Sequence, residues 1–419
     1  MALTGLIGEI RRSSFVSKVT GLTGATTLAQ VLGAGTLVLL TRLLSPADVG
    51  TYQVFLSYSA LVGSVALLSY PTVLPHVKEA EYTTLVAALL GLVVIVGIAA
   101  TITFHFTGIP FAPAIGGQVV ASGLSSMSEM ANIRRQRVRW LAASRLAFSS
   151  GNIIWVATLW LTSNASLAAV VYGQVALALL VGLIYAACTF RGELKRPRWA
   201  DMKAIFIAKK DCALFYAPSE LLGSMTFNLP TVLIERYFGA ALAGNYGVIV
   251  RFCGAPVTIL SSTIAQVYHG SLADAVRNRR ADAYDNFLRL RRGLAALGAL
   301  AAAGIFFVVP PVIALMMGPS WADAGTVARV LSPMYCAMIW ISPLVAASFQ
   351  VFEAQRSLFV LQLAAAAIAL TCFTVAGVFG SFWWGIGMYS ALITLRYLLF
   401  LRKVSVLSKE RLAFVSART

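Results

Sequence analysis

Long apolar runs recur along this chain, separated by short polar breaks. A helix needs about 20 apolar residues to cross the hydrocarbon of a bilayer. Runs of that length occur at about 19–41, 51–75, 83–107, 113–133, 140–162, 167–190, 212–235, 246–269, 293–317, 326–350, 358–380 and 384–401. The pattern predicts an all-α membrane protein with about twelve transmembrane helices. Prolines fall inside several runs (Pro71, Pro218, Pro230, Pro256, Pro310, Pro333, Pro343). A bundle in lipid tolerates them, and they often mark kinks beside a cavity. The first run is too long for a signal-peptide core and reads as an uncleaved span.

Composition agrees with lipid as the solvent. Only 12% of residues are charged, against roughly 25% in a soluble domain, and mean hydropathy is +0.81. The net charge of +17 would point to nucleic acid in a soluble protein. Here it sorts by side of the membrane. With the amino terminus inside, 27 of the 33 Lys and Arg residues fall in inner segments, including seven in 191–211 and six in 270–292. Only Arg42 and Arg236 fall in outer loops; Arg145, Arg251, Arg329 and Arg396 lie within spans. That asymmetry places both termini in the cytoplasm. No nucleic-acid partner is expected. The basic loop 270–292 reads as an amphipathic connector on anionic headgroups. The outer loops are too short to form a domain, so the function lies in the bilayer. The five cysteines form no close metal-ligand pair and no disulfide framework.

The loop after the first span and the loop after the seventh share a pattern. Arg42, Gly50 and Tyr52 recur as Arg236, Gly244 and Tyr246 at an offset of 194 residues. Each copy closes the first hairpin of a six-span half. Six is even, so both halves enter the membrane in the same direction, as a parallel repeat about an axis along the membrane normal. The expected organisation is a six-helix bundle at 1–190, a basic linker at 191–211, a second six-helix bundle at 212–402 and a tail at 403–419. Two such bundles around a central cavity form an alternating-access transporter plan.

Three stretches carry a resemblance. They are "LTRLLSPADVGTYQVF" after the first span, "LIERYFGAALAGNYGVIVRFCGAP" at spans seven and eight, and "MMGPSWADAGTVARVLSP" between spans nine and ten. In this order, with twelve spans, they resemble the bacterial polysaccharide flippases of the multidrug/oligosaccharidyl-lipid/polysaccharide exporter superfamily. The resemblance runs from about residue 19 to about 400. It implies a two-lobed fold with a hydrophilic central cavity, in the cytoplasmic membrane. The implied activity is translocation of undecaprenyl-diphosphate-linked oligosaccharide to the periplasmic leaflet, driven by an ion gradient. Implied partners are that lipid-linked substrate, membrane lipid, and the polymerase and glycosyltransferases of surface-polysaccharide synthesis. The chain departs from the pattern in its few acidic positions within spans, which leaves the coupling ion open.

Such a carrier must shelter a hydrated glycan and hold its diphosphate with cations. In span seven, Glu220, Ser224, Asn228, Thr231 and Glu235 are spaced 4, 4, 3 and 4, on one side of a helix. This face is read as cavity-lining, although small polar residues also serve helix packing. Span eight offers Arg251, Thr258 and Ser262; span two Gln53, Ser57 and Ser64; span one Thr23, Thr27 and Gln30. Arg251 is the sharpest cation, roughly 7.5 Å inside the outer end of its span. Arg145 and Arg396 lie near cytoplasmic ends, where snorkelling to the headgroups is the expected reading, with Arg145 kept as a cavity candidate. Arg42 and Arg236 stand at the outer mouth, with a hairpin role as good as a substrate role. Glu220, roughly 12 Å in from the cytoplasmic end, is the ion-coupling candidate. Its alternative is a salt bridge to Arg251 or Arg145. Glu129 and Glu353 are expected to be solvated, and Gly33 and Gly35 to serve helix packing.

No catalytic constellation, metal-ligand set or nucleotide loop is found, so neither an enzyme nor a cofactor is expected. A multidrug or organic-cation exporter would need acidic cavity residues. A polymerase or ligase would need a sizeable outer loop. A peptidoglycan-precursor flippase shares the expected fold and is poorly separated by sequence.

Overall fold

The computed structural model describes residues 14–192, 198–278, 283–352 and 354–416. Glu353, like the basic residues Arg11 and Arg12, lies outside the described residues. Among the described residues the structure is helical, with no strand. The first half holds α1 (Ser14–Leu43), α2 (Pro46–Val65), α3 (Glu79–Phe106), α4 (Ala112–Arg134), α5 (Val138–Leu161) and α6 (Leu167–Phe190). A short helix α7 (Trp199–Ala208) follows in the linker, then α8 (Ala217–Phe238). Two rods are each interrupted by one wide π turn. These are α9 (Ala240–Ile249) with α10 (Ala255–Arg277), and α11 (Ala283–Ala303) with α12 (Val309–Met317). The chain ends with α13 (Ala322–Val351), α14 (Gln355–Val378) and α15 (Phe382–Ser416). A proline follows each of the two interruptions (Pro256, Pro310); lacking an N–H, it cannot close the regular i→i−4 bond there.

Among the described residues, twelve rods therefore stand where the apolar runs predict spans. Eight stretches are long and apolar enough to cross a membrane by composition alone. The other four rods, α2, α4, α5 and α8, are diluted by polar residues, and all four return below as carriers of interior polar groups. Span two ends earlier than predicted. Helix α2 stops at Val65, and Leu68 and Ser69 adopt left-handed backbone before a 3-10 turn at Tyr70–Val73. The basic segments are partly helical: α10 reaches Arg277, and α15 runs past 402 to Ser416.

The helices gather into two compact units. The first comprises the described residues up to Leu44 with Phe55–Ser224, and the second Ser45–Val54 with the described residues from Met225 on. In the first, α1 packs on α5, and α4 packs on both α3 and α6. Tyr82, Leu85, Leu89, Met127 and Phe190 form its core, and Ile205 of α7 and Cys212 are buried against them. Two arginines of the α4–α5 turn act as staples. Arg134 donates to the carbonyls of Leu74 (2.9 Å) and Val77 (2.5 Å) and to Glu79 (2.6 Å). Arg135 donates to the Thr189 carbonyl at 2.5 Å. These charges do more than set orientation: they satisfy main-chain acceptors near the ends of neighbouring helices.

In the second unit α13 is the hub, packed by α10, α11, α12 and α15. Two-thirds of its apolar window (67%) is buried, against 17% for the α11–α12 rod. Lipid tails are as apolar as leucine, so close packing and paired polar groups must hold such a bundle together. The repeat supplies one close approach of backbones. A Cβ on Gly50 would collide with the Ala240 carbonyl oxygen, and one on Gly244 would collide with that of Pro46. Pro46 and Ala240 are also 194 residues apart in the sequence, so each copy of the repeat touches the other through the same positions. Reciprocal contact of this kind is the mark of a local two-fold axis. Gly33 does not share this role, since a Cβ there would meet nothing within 4 Å.

Candidate functional site

Each unit contains a half-open cavity. In the first, about 200 Å³ is lined by Gln118, Ser125 and Glu129 of α4, Ser144 and Arg145 of α5, and Tyr185 of α6. Arg145 donates through Nη2 to Glu129 Oε1 at 2.5 Å and through Nη1 to Thr26 Oγ1 at 3.1 Å. The two charged side chains are 40% and 32% exposed. Both sequence readings need correction here. Arg145 does not snorkel, and Glu129 is not a freely solvated acid; they form an ion pair at the wall of a polar cavity. A pair satisfies both charges, which lipid would otherwise penalise.

In the second unit, a half-open pocket of about 240 Å³ is lined by α8, the α9–α10 rod, α13 and α15. Arg251 and Arg396 line it together with Tyr246, Tyr335, Tyr389 and Tyr397, and its lining contains no Asp or Glu. Arg251 stands in the π turn Val250–Gly254. Its Nε donates to Gln53 Oε1 at 2.5 Å. Gln53 is buried and lies against Gly247, where a Cβ would fall 2.6 Å from Gln53 Cγ. The glycine makes room for the side chain that holds the arginine. Arg396 also departs from the snorkelling reading. It is 6% exposed, donates through Nη1 to the Leu361 carbonyl at 2.9 Å, and stacks on the Tyr397 ring at 4.5 Å.

The span-seven face does not gather in either cavity. Glu220 is exposed, Ser224 and Asn228 are half-buried, and Thr231 is buried. The boundary between the two units falls within α8, between Ser224 and Met225, and divides the five residues between them. The α8 residues lining the second cavity are Thr226 and Phe227. Ser224 donates to the Ala60 carbonyl at 3.2 Å, a packing role. Arg42 and Arg236 are exposed near the ends of α1 and α8 and line neither cavity. The alternative salt bridge for Glu220 does not form: Arg145 is paired with Glu129, and Arg251 bonds Gln53.

Sequence reasoning misses Glu129 and Arg396 as cavity residues, although the signal is present. Gln118, Ser122, Ser125 and Glu129 are spaced 4, 3 and 4, and Tyr389, Ile393 and Arg396 are spaced 4 and 3. Both are single helical faces. Proximity to a cytoplasmic end hides them behind the snorkelling and solvation readings.

The fold is shared with solved transporters of the MOP superfamily. An inward-facing multidrug-resistance MATE family transporter superposes at a TM-score of 0.70 with 12% identity, covering 93% of this chain and 96% of that one. The lipid II flippase MurJ in an inward closed conformation gives 0.73 with 11% identity, covering 94% and 90%. A MOP superfamily transporter from Pyrococcus furiosus, described as having a binding pocket of reverse polarity, gives 0.55 with 13% identity, covering 95% and 94%. No curated protein matches in sequence. Fold and apolar helices together define a multi-pass membrane protein with the architecture of these carriers. Residues 39–326 match the family described as polysaccharide biosynthesis protein, and the chain belongs to that family.

Proposed function

We propose that this protein carries an undecaprenyl-diphosphate-linked oligosaccharide from the cytoplasmic to the periplasmic leaflet of the bacterial inner membrane, for surface-polysaccharide synthesis. The observation that carries the reading is the sign of the interior charge. Within the described spans the cavity of the second unit holds two arginines and no carboxylate, while the acid of the other cavity is neutralised by Arg145. An anionic diphosphate matches that polarity, and guanidinium groups bind phosphate oxygens in pairs. An organic-cation exporter needs the opposite sign. The peptidoglycan-precursor flippase reading shares the diphosphate and is separated only by the glycan. Family membership favours surface polysaccharide, with a polymerase and glycosyltransferases as working partners and both termini in the cytoplasm.

The test is made in cells that depend on this protein for export. Arg251→Ala should abolish surface polysaccharide while the protein remains folded in the membrane, and Arg251→Lys should keep part of the activity. Lys retains a point charge but loses the planar fork. Normal polysaccharide from Arg251→Ala cells would remove Arg251 from the substrate path. For energy coupling, Glu220 is the proposed proton carrier, since its carboxylate is exposed and makes no ion pair among the described residues.

A further inference from the structure

The linker helix α7 has one side fixed to the first unit and one side open. On the fixed side, Ile205 is buried in the core with Tyr82 and Phe190, and Phe206 packs against the same cluster. Tyr70 donates its hydroxyl to the Phe206 carbonyl at 3.2 Å, and the two rings meet edge-on with centroids 4.8 Å apart. These contacts decide which side of α7 faces outward. Trp199, Lys203, Ile207 and Lys210, the last two residues past the helix end, are spaced 4, 4 and 3, and all four are exposed. That spacing makes them one stripe. Trp199 is 78% exposed and Ile207 58%. Beside the stripe run Ala200, Ala204 and Ala208, also exposed, and too small to hold it off a flat surface. The acid of α7, Asp201, lies in the first turn, where the helix dipole favours it.

The depth of α7 is set by what it packs on. Tyr82 lies in the first turn of α3 and Phe190 is the last residue of α6, so Ile205 is buried at the ends of membrane spans and not beyond them. Leu214, Phe215 and Tyr216, all exposed, open the next span four residues past Lys210. The stripe therefore stands at headgroup level. Segment 191–211 carries seven basic residues against three acidic ones. We propose that α7 is a docking site for anionic phospholipid headgroups, with Lys203 and Lys210 on the headgroup charge and Trp199 and Ile207 inserted between the lipids. Alternating cationic and apolar side chains suit that boundary, and a tryptophan ring is at home there. The lysines select anionic over zwitterionic lipid. An acidic soluble protein would meet the same lysines, but the depth of the helix favours lipid. Such docking is independent of the cargo.

The probe is a bimane label on Ala204→Cys, in full-length protein with the five native cysteines replaced. The protein is placed in phosphatidylcholine nanodiscs with increasing phosphatidylglycerol. Exposure of the label is read by acrylamide quenching, which is neutral and so indifferent to surface charge. Quenching should fall saturably, by about twofold or more, as phosphatidylglycerol is added, and raised salt should restore it. Loss of one lysine should raise the phosphatidylglycerol needed for half-protection about fivefold. Lys203→Gln combined with Lys210→Gln should remove the protection while the melting temperature in detergent stays at the parental value, since both side chains are exposed. The proposal is overturned if phosphatidylcholine alone protects the label as well as the anionic lipid does, or if the double variant is protected like the parent. It is overturned equally if soluble poly-glutamate protects the label in phosphatidylcholine nanodiscs and phosphatidylglycerol does not, the result expected of a face that docks an acidic protein.

Discussion

Arg145 and Glu129 are each about a third or more exposed, so their pair is worth less than a fully buried one. A double-mutant cycle with Glu129→Gln and Arg145→Gln, read by thermal or denaturant unfolding in detergent, should give a coupling of about 1 kcal/mol. A coupling indistinguishable from zero would mean that each group is independently hydrated. The same comparison bears on energy coupling. Glu220→Gln should abolish the response of transport to an imposed pH gradient without lowering expression, because glutamine mimics the protonated acid. If Glu129→Gln abolishes that response and Glu220→Gln does not, the proton is carried at the paired acid of the first unit. At this scale the sequence shows which residue types matter and misjudges their surroundings. Depth along a span, counted from one end, says nothing about which way the side chain turns. Arg251 and Arg396 both line one cavity, although depth alone singles out Arg251. Gln53, which positions Arg251, lies 198 residues away in sequence, beyond the reach of any local pattern.

At the level of elements, hydropathy locates the twelve rods because lipid allows few other structures: each backbone group must be satisfied within its own helix. What hydropathy cannot show is how α8 divides. Its polar residues share a face, yet the two compact units meet the chain on either side of Ser224 and Met225. The repeat is legible as three matching residues, but the reason for its glycines is not, because it lies in the crossing of α2 and α9. That crossing gives a prediction of sign as well as size. Gly50→Ala places a methyl group onto the Ala240 carbonyl and should cost about 3 kcal/mol, or prevent folding. Gly33→Ala, with open space at its Cβ, should be neutral or stabilise by about 0.5–1 kcal/mol, as alanine does in a helix. The Gly50→Ala protein should therefore melt well below the parent, and the Gly33→Ala protein at or above it. Equal effects would mean that the repeat glycines are not in contact.

For the whole molecule, the distribution of Lys and Arg predicts a topology that can be measured directly. Single cysteines introduced at described positions of the basic segments, such as Trp199 or Arg289, in a background with the five native cysteines replaced, should react with a membrane-impermeant thiol reagent only after the membrane is opened. Labelling of intact cells at either site would invert the orientation and remove the basis for a cytoplasm-to-periplasm direction. The central claim is that the cargo is a lipid-linked, anionic oligosaccharide. Its most direct test is reconstitution of the purified full-length protein into liposomes containing an undecaprenyl-diphosphate-linked oligosaccharide, with the outer-leaflet fraction followed by an impermeant sugar-modifying reagent. The parent should carry the glycolipid across at a rate well above protein-free vesicles, and Arg251→Ala should fall to the protein-free rate. A parent that leaves the glycolipid distribution unchanged while moving an organic cation down an imposed gradient would contradict the account.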